Sequence, residues 1–596
     1  MTRFLAPCQT LVGFRRRAPC AGTVPPWLKS ASLPALVLIF NVTMIGAGWA
    51  QQPAAAPRYD LRQTEKNIEQ LQSGAQRAKP PVRLPTVPAA AVGHADTRPM
   101  FRLRGVSVAG AHVVAAEAIA ETYKPFIGKT VSQADLVGIA VAITELYRTA
   151  GYALSRAIVP PQNIRNGRIH IKVIEGSITD FVLKGDDTER YGVRPLLARL
   201  LEEHPTQMKT LERQLMLVNE APGIRVADTA LEEIGRASGK FRLTVVIKTW
   251  RIYIGLGFDN AGASAVGPYQ AFAATAFNSY FLHGDSLNLS ASSTPNSPRE
   301  FEFGRFAYDT PVGTDGARFG VNALYSNVAP GDIRQLTNTH TITDTVEVKG
   351  SVAPIETRKA TLTLTGALDF SETWERDMFG IIYRDHIRAA SLTADYRFKD
   401  PFAALNFLSV TGRQGFTIFG ASEKDDLSTS RPNAASNFSV LDFSFARIQP
   451  LSDVWSVKVS ANGQWASGPL LISQQFYLGD AAYGPGFYSG DSGIFAYGEL
   501  RFDQPVSSDI LKRYQLYGFF DKGAVWSFDT GGQILSIASA GAGIRFFFAD
   551  DWQAGLGVAV PVHPGTTANT INGTRFLLSL SKSFKVCPQN NQLRCF

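Results

Sequence analysis

The chain of 596 residues carries 59 Lys and Arg against 51 Asp and Glu, a net charge of +8, with 45% hydrophobic residues, 18% charged residues and four Cys. That much apolar and aromatic material excludes disorder as the main state, so few Cys cannot frame a disulfide scaffold, and the length implies several domains. Phe 38, Tyr 18 and Gly 52 beside so few charges point to β structure rather than long helices.

Residues 1–50 hold Arg3, Arg15, Arg16, Arg17 and Lys29, no Asp or Glu, and an apolar run from Leu33 to Trp49. A basic n-region, an apolar h-region and small residues at Gly48 and Ala50 make a secretory signal peptide cut after Ala50. Asn41, Thr43 and the Gly-rich end make the run a poor membrane anchor, and the Arg triplet lacks the rest of a twin-Arg signal. These five basic residues account for most of the +8, so the charge gives little support to a nucleic-acid partner. No other stretch approaches the roughly 20 apolar residues of a transmembrane helix. An exported chain of this kind enters a membrane only as a barrel.

Within residues 51–78, Tyr59 to Ala78 reads as a short polar helix with Asp60 as N-cap and a thin stripe of Leu61, Ile68 and Leu71. Residues 79–99, with Pro80, Pro81, Pro85 and Pro88, have the composition of an extended linker. Residues 100–176 then read as a β-α-α-β-β unit: a strand from Phe101 to Val108, a helix near Val113 to Tyr123, and a second helix capped by Ser132. Strands Leu154–Val159 and Arg168–Val173 follow, joined through Pro160, Pro161 and the turn signal Asn166-Gly167. The order recurs in residues 177–249, with a strand at Ile178–Leu183, helices at Val193–Glu203 and Thr206–Asn219, and two closing strands. Two tandem α/β units with open sheet edges suit capture of an extended chain by strand addition, or serve as a spacer.

From residue 250 to 584 helical periodicity gives way to strict alternation. Leu362, Leu364, Leu368 and Phe370 oppose Thr361, Thr363, Thr365 and Asp369, and Trp455, Val457, Val459 and Ala461 oppose Ser456, Lys458, Ser460 and Asn462. Polar faces carrying Arg, Asp, Lys and Asn through a segment match a lipid-facing barrel with a wet lumen, not a sandwich. Segment starts near residues 250, 269, 284, 301, 316, 342, 357, 383, 404, 438, 453, 494, 514, 533, 551 and 575 make a transmembrane antiparallel β-barrel of about 16 strands. A short tail, 585–596, follows.

Taken together these segments resemble a known family, the outer-membrane transporters of two-partner secretion, which are haemolysin and filamentous-haemagglutinin translocators of the Omp85 superfamily. In the first unit Tyr147, Gly151, Tyr152, Pro161, Gln162, Gly167, Glu175 and Gly176 look like the family's first POTRA domain. In the second, Leu211, Glu212, Arg213, Asn219, Pro222 and Gly223 are similar to its second POTRA domain. The barrel opens with Gly257-Phe258-Asp259-Asn260 in family fashion, and Phe519, Asp521 and Gly523 match its Phe-x-Asp-x-Gly strand motif. The segment Leu470–Gly493 corresponds to a sixth extracellular loop that folds into the lumen, with Tyr483, Gly484, Pro485, Gly486 and Phe487 at its tip. The family carries an Arg at the tip, paired with the strand Asp. Here Pro485 stands at that position, so Lys522, Arg545 or another lumen cation substitutes, or the loop is held differently, or secretion is impaired.

The resemblance implies a cell-outer-membrane pore with its POTRA domains in the periplasm and the helix at 59–78 as a lumen plug. The implied partners are a secreted exoprotein in extended form (a large β-helical adhesin or haemolysin), outer-membrane lipid including lipopolysaccharide, and the barrel assembly machinery for its own insertion. No nucleic acid, cofactor, metal or catalytic residue is implied. The rival readings are an Omp85-type assembly factor, whose relatives carry more POTRA domains, and a solute porin, which needs no periplasmic arm. Gly490-Asp491-Ser492-Gly493 copies the surroundings of a protease nucleophile but lies in turn-forming residues. Gly541-Ala542-Gly543 lacks the helix a dinucleotide site requires. Cys587 and Cys595 sit a few residues apart in the tail, where a disulfide is favoured over free thiols.

Overall fold

A computed structural model describes residues 82–86, residues 95–563 except 186 and 236, and residues 573–586. The signal peptide, the helix expected at 59–78, most of the 79–99 linker, and Cys587 and Cys595 lie outside the described residues.

Module 1 contains β1 (Pro99–Arg102), β2 (Gly105–Ala109), α1 (Ala116–Tyr123), β3 (Thr130–Ser132), α2 (Gln133–Thr149), β4 (Arg156–Ile158) and β5 (Arg168–Ile174). The single strand expected at Phe101–Val108 is two. β1 pairs with β3, while β2 joins a three-stranded sheet of order β2-β5-β4. The break falls at Leu103, which is fully buried, and Leu103 N and Arg104 N donate to the carbonyls of Lys129 and Gly167 instead of a sheet partner. Ser132 caps α2 as expected: its hydroxyl accepts from Asp135 N, and Asp135 accepts from Ser132 N in return, a reciprocal capping box. α1 begins at Ala116 rather than Val113, because His112 N and Val113 N donate to the Glu175 carboxylate.

Module 2 contains β6 (Ser177–Lys184), α3 (Val193–Glu202), α4 (Met208–Glu220), β7 (Ile224–Glu233) and β8 (Lys240–Thr249), with sheet order β6-β8-β7. Leu197, Leu200, Leu211, Leu215 and Val218 bury one helical stripe against Phe241, Leu243, Val245 and Ile247, the alternate residues of β8. Val82 belongs to this core, so the linker does not merely span: residues 82–86 lie against module 2.

Sixteen antiparallel strands follow and close on themselves. They are β9 (Ile252–Asp259), β10 (Gln270–Asn278), β11 (Ser286–Ser293), β12 (Phe301–Val312), β13 (Ala317–Val328), β14 (His340–Glu356), β15 (Ala360–Asp377) and β16 (Gly380–Lys399). The rest are β17 (Leu405–Gly415), β18 (Ser439–Pro450), β19 (Trp455–Ala466), β22 (Ser492–Pro505), β23 (Leu511–Trp526), β24 (Ile534–Phe548), β25 (Trp552–His563) and β26 (Arg575–Val586), with the short β20 (Phe476–Asp480) and β21 (Gly484–Gly490) between β19 and β22. Every expected strand start lies within three residues of an observed one. The wall ends at Val586 rather than 584, because Ile252 pairs with Val586 across the closing seam of β9 and β26.

The period of two sorts the wall. Leu256, Phe306, Leu368, Leu392, Leu500 and Phe520 face outward and are exposed, which in a bilayer means lipid-covered, while Asp369, Ser371, Glu499 and Asp521 are buried on the lumen side. No helix among the described residues is long and apolar enough to cross a membrane; the strands do so.

Candidate functional site: a lumen closed by its own loop

The Phe-x-Asp-x-Gly positions alternate, so Phe519, Asp521 and Gly523 all face the lumen from one stretch of β23. Gly523 leaves room for the loop: a Cβ there would collide with Leu478 Cδ1 of β20. Phe519 stacks with Tyr497 at 5.7 Å between ring centroids. Its ring also lies over Gly541, its register partner in β24, and the Tyr517 ring lies over Gly543 in the same way. The two glycines are thus seats for aromatic rings, as their place in a strand implied. Leu478, Tyr483, Tyr488, Phe519, Val525 and Ile537 form one apolar cluster, so the β20–β21 hairpin is seated on the lumen wall at β23 and β24.

Neither cation suggested by the sequence reaches Asp521. Lys522 points to the opposite, exposed face of β23 by strand alternation, and Arg545 is engaged elsewhere, donating to Glu499 at 2.9 and 2.7 Å and stacking over Tyr517 at 3.8 Å. Instead Asp521 accepts from Ser539 N at 3.0 Å, from Ser539 Oγ at 2.7 Å and from the backbone N–H of Ala481 in the loop. Main-chain and hydroxyl donors replace an arginine. The turn itself runs from Asp480 to Gly484, where Asp480 accepts from Ala482 N and Tyr483 N at 2.9 and 2.7 Å, and Pro485 is the second residue of the return strand. Gly484 has φ +83 and packs on a guanidinium after all: that of Arg575 in β26, which donates to the carbonyls of Asn260 and Gly262 at 2.7 and 2.6 Å.

The base of the loop has a second anchor that sequence reasoning passed over. Arg431, in the connection from β17 to β18, pairs with both Asp491 and Asp529 and donates to the carbonyl of Leu470. Asp491 is fully buried and also accepts from Leu470 N and Phe528 N at 2.9 Å each. Burial opposes its charge, but Arg431 and these amides hold its carboxyl below the usual range. The Gly-Asp-Ser-Gly segment is therefore the knot of three outer loops, and its signal was a carboxylate among turn residues. Between Tyr477 of the hairpin and the facing wall remains a cavity of about 520 Å³, also lined by Thr343, Thr373, Thr393, Thr411, Arg413 and Gln474.

The module motifs gather at joints. In module 1, Tyr147 Oη donates to Glu175 at 2.8 Å, Gln162 ties its loop to His170, and Gly167 sits tight against the Arg102 carbonyl, while Pro161 stays exposed. Gly151 O accepts from Met208 N, Tyr152 Oη from Gln207 Nε2 and Gly176 O from Thr206 N, all from module 2, and Arg156 grips Glu233 at 2.8 Å. In module 2, Leu211 is core, Asn219 Oδ1 accepts from Val226 N at 3.0 Å, and Pro222 lines the periplasmic mouth of the barrel. Glu212 pairs with Arg358 of the β14–β15 turn, Arg213 donates to the carbonyls of Pro354 and Asp315, and Gly223 presses on Asn278 and Trp250. The motif residues thus fasten module to module and module to barrel.

A closed sixteen-stranded barrel with a lumen loop and a docked α/β arm defines an outer-membrane barrel protein with an arm on its periplasmic side. Residues 101–176 match the family model "POTRA domain, ShlB-type", and residues 242–546 match "Haemolysin secretion/activation protein ShlB/FhaC/HecB". The chain belongs to that haemolysin secretion/activation family, whose members are outer-membrane transporters of two-partner secretion with the POTRA domain in the periplasm. It is 24% identical over 500 residues to the heme/hemopexin transporter protein HuxB of Haemophilus influenzae, covering 79% of this chain and 85% of the relative. The structures of CdiB from Escherichia coli (TM-score 0.68, 17% identity) and from Acinetobacter baumannii (TM-score 0.61, 16% identity) share its fold. Each alignment covers 88% of this chain and 97% of the other.

Proposed function

We propose that the two modules capture a large β-helical exoprotein in extended form and pass it through the barrel once the loop-6 hairpin has left its seat on β23. What supports this reading is an arm fastened to the periplasmic turns together with a hairpin, separate from the barrel strands, that is packed inside a polar lumen. Residues 177–249 act as a second POTRA domain, residues 59–78 as a resting plug, and residues 1–50 as a cleaved signal peptide. The chain performs no catalysis and takes no cofactor. With no nucleotide available outside the cell, direction comes from folding of the exoprotein beyond the membrane, which removes the state that could return.

The test is a pair of deletions, each assayed for secretion of the exoprotein, which is to be sought among large exported proteins encoded beside this chain. Without residues 100–249 the chain should keep its conductance in planar bilayers and secrete nothing; continued secretion overturns the capture role. Without residues 51–78 conductance should rise, and an unchanged value removes the plug.

A further inference from the structure

Residues 82–86 resemble a ligand more than a linker. Val82 is 2% exposed and Pro85 is buried, Leu84 is partly buried, and Arg83 and Thr86 point outward. This in-out order is that of an extended chain laid on an apolar surface. Val82 enters the core that holds Leu215, Val218, Ile224 and Val226, and Leu84 packs against the same cluster. The Arg83 carbonyl accepts from Thr229 Oγ at 2.6 Å. Thr229 lies on β7, the outer strand of its sheet, on the buried side with Ile224 and Val226. The segment is tied by a hydroxyl and apolar side chains, for residues 82–86 form no strand.

We propose that this flank of module 2, along β7, is a docking groove for extended, alternately apolar stretches of the exoprotein, and that residues Val82–Pro85 fill it until cargo displaces them. The proposal rests on the capture reading above and names where capture occurs. The occupant displays the chemistry the groove accepts: an apolar residue, an outward residue, then a second apolar residue with its carbonyl side open to Thr229. Being tethered, it competes at high effective concentration, so weakly matching chains are refused. A cargo strand that also pairs its backbone with the outer edge of β7 gains hydrogen bonds that the resident segment does not make, and wins.

Two experiments on the full chain in detergent or in cells test this. A fluorescein-labelled peptide of residues 80–87 (Pro-Pro-Val-Arg-Leu-Pro-Thr-Val) should bind Val82→Asp/Leu84→Asp about tenfold or more tighter than the wild type, whose groove is occupied. Equal binding overturns the proposal. Because charged substitutions could disturb module 2, a lock provides the second arm: Leu84→Cys with Thr229→Cys, its bond on oxidation confirmed by loss of both free thiols. The oxidised lock should stop secretion of the exoprotein and reduction should restore it. If the locked chain secretes as the wild type does, the segment is a permanent strap and the inference fails. Wild-type secretion in the same cells then shows that the transport reading stands without it.

Discussion

Asp521 illustrates how one lost arginine redistributes its work. A buried carboxylate needs either a cation or several hydrogen-bond donors, and here Ser539 and the Ala481 amide supply the donors. Asp521→Ala leaves those donors short of an acceptor, a loss of about 1–3 kcal/mol for each one stranded, and secretion should fall several-fold. Pro485→Arg should not raise secretion, because it adds a second guanidinium next to the one Arg575 already lays on Gly484. A large gain in secreted protein on immunoblot refutes this account of the tip. Glu175 is the corresponding residue of module 1. Burial opposes its charge, yet the amides of His112 and Val113 and the Tyr147 hydroxyl hold its carboxyl below the usual glutamate value. A lowered folded-state pKa means that this stability is present above the ordinary glutamate range and is lost as pH falls through the folded value. Glu175→Gln should destabilise module 1 by about 2 kcal/mol at neutral pH and flatten that acid dependence, read by hydrogen exchange of α1 and β2.

Among the elements, the loop between β19 and β22 behaves as a hairpin held at both ends, by backbone amides at the tip and by Arg431 at the base. Arg431 is nearly buried and faces two carboxylates, so its removal leaves buried Asp491 without its cation and held only by amides, at a local cost of up to about 3–5 kcal/mol. Arg431→Ala should loosen the hairpin, raise the open-channel current and expose the loop to protease in intact cells. Arg431→Lys should restore only part of the closure, since a single ammonium cannot reproduce the forked contact with Asp491 and Asp529. Unchanged current and protection in Arg431→Ala would falsify the base anchor.

For the whole molecule, the decisive relation is between arm and barrel. Glu212–Arg358 and Arg199–Asp315 are part-exposed ion pairs, each worth about 0–1 kcal/mol, so Glu212→Ala alone should change little. Combining it with Arg199→Ala and Arg213→Ala removes most of the polar fastening of α3 and α4 to the barrel, leaving the Glu220–Arg397 pair. That triple variant should lose secretion while keeping wild-type conductance, a split that separates guidance of cargo from the pore itself; a parallel fall in both would mean that the barrel had been damaged. Much of this arrangement is legible in the chain because local rules govern it. Period-two alternation places every barrel strand, Ser132 marks a helix start, and Asn166-Gly167 marks a turn, each within a few residues. The Phe-x-Asp-x-Gly stretch and the loop were also visible, since side-chain alternation alone puts Phe519, Asp521 and Gly523 on one face. What only the tertiary structure decided is who meets whom across long chain separations: Ala481 and Ser539 at Asp521, Arg575 at the loop tip, Arg431 at Asp491, and Val82 in the core of module 2. Asp521 and Ser539 are register partners on neighbouring strands, but the other contacts join residues 40 or more positions apart, and they follow from how loops, wall and modules pack on one another, which alternation within a segment does not specify.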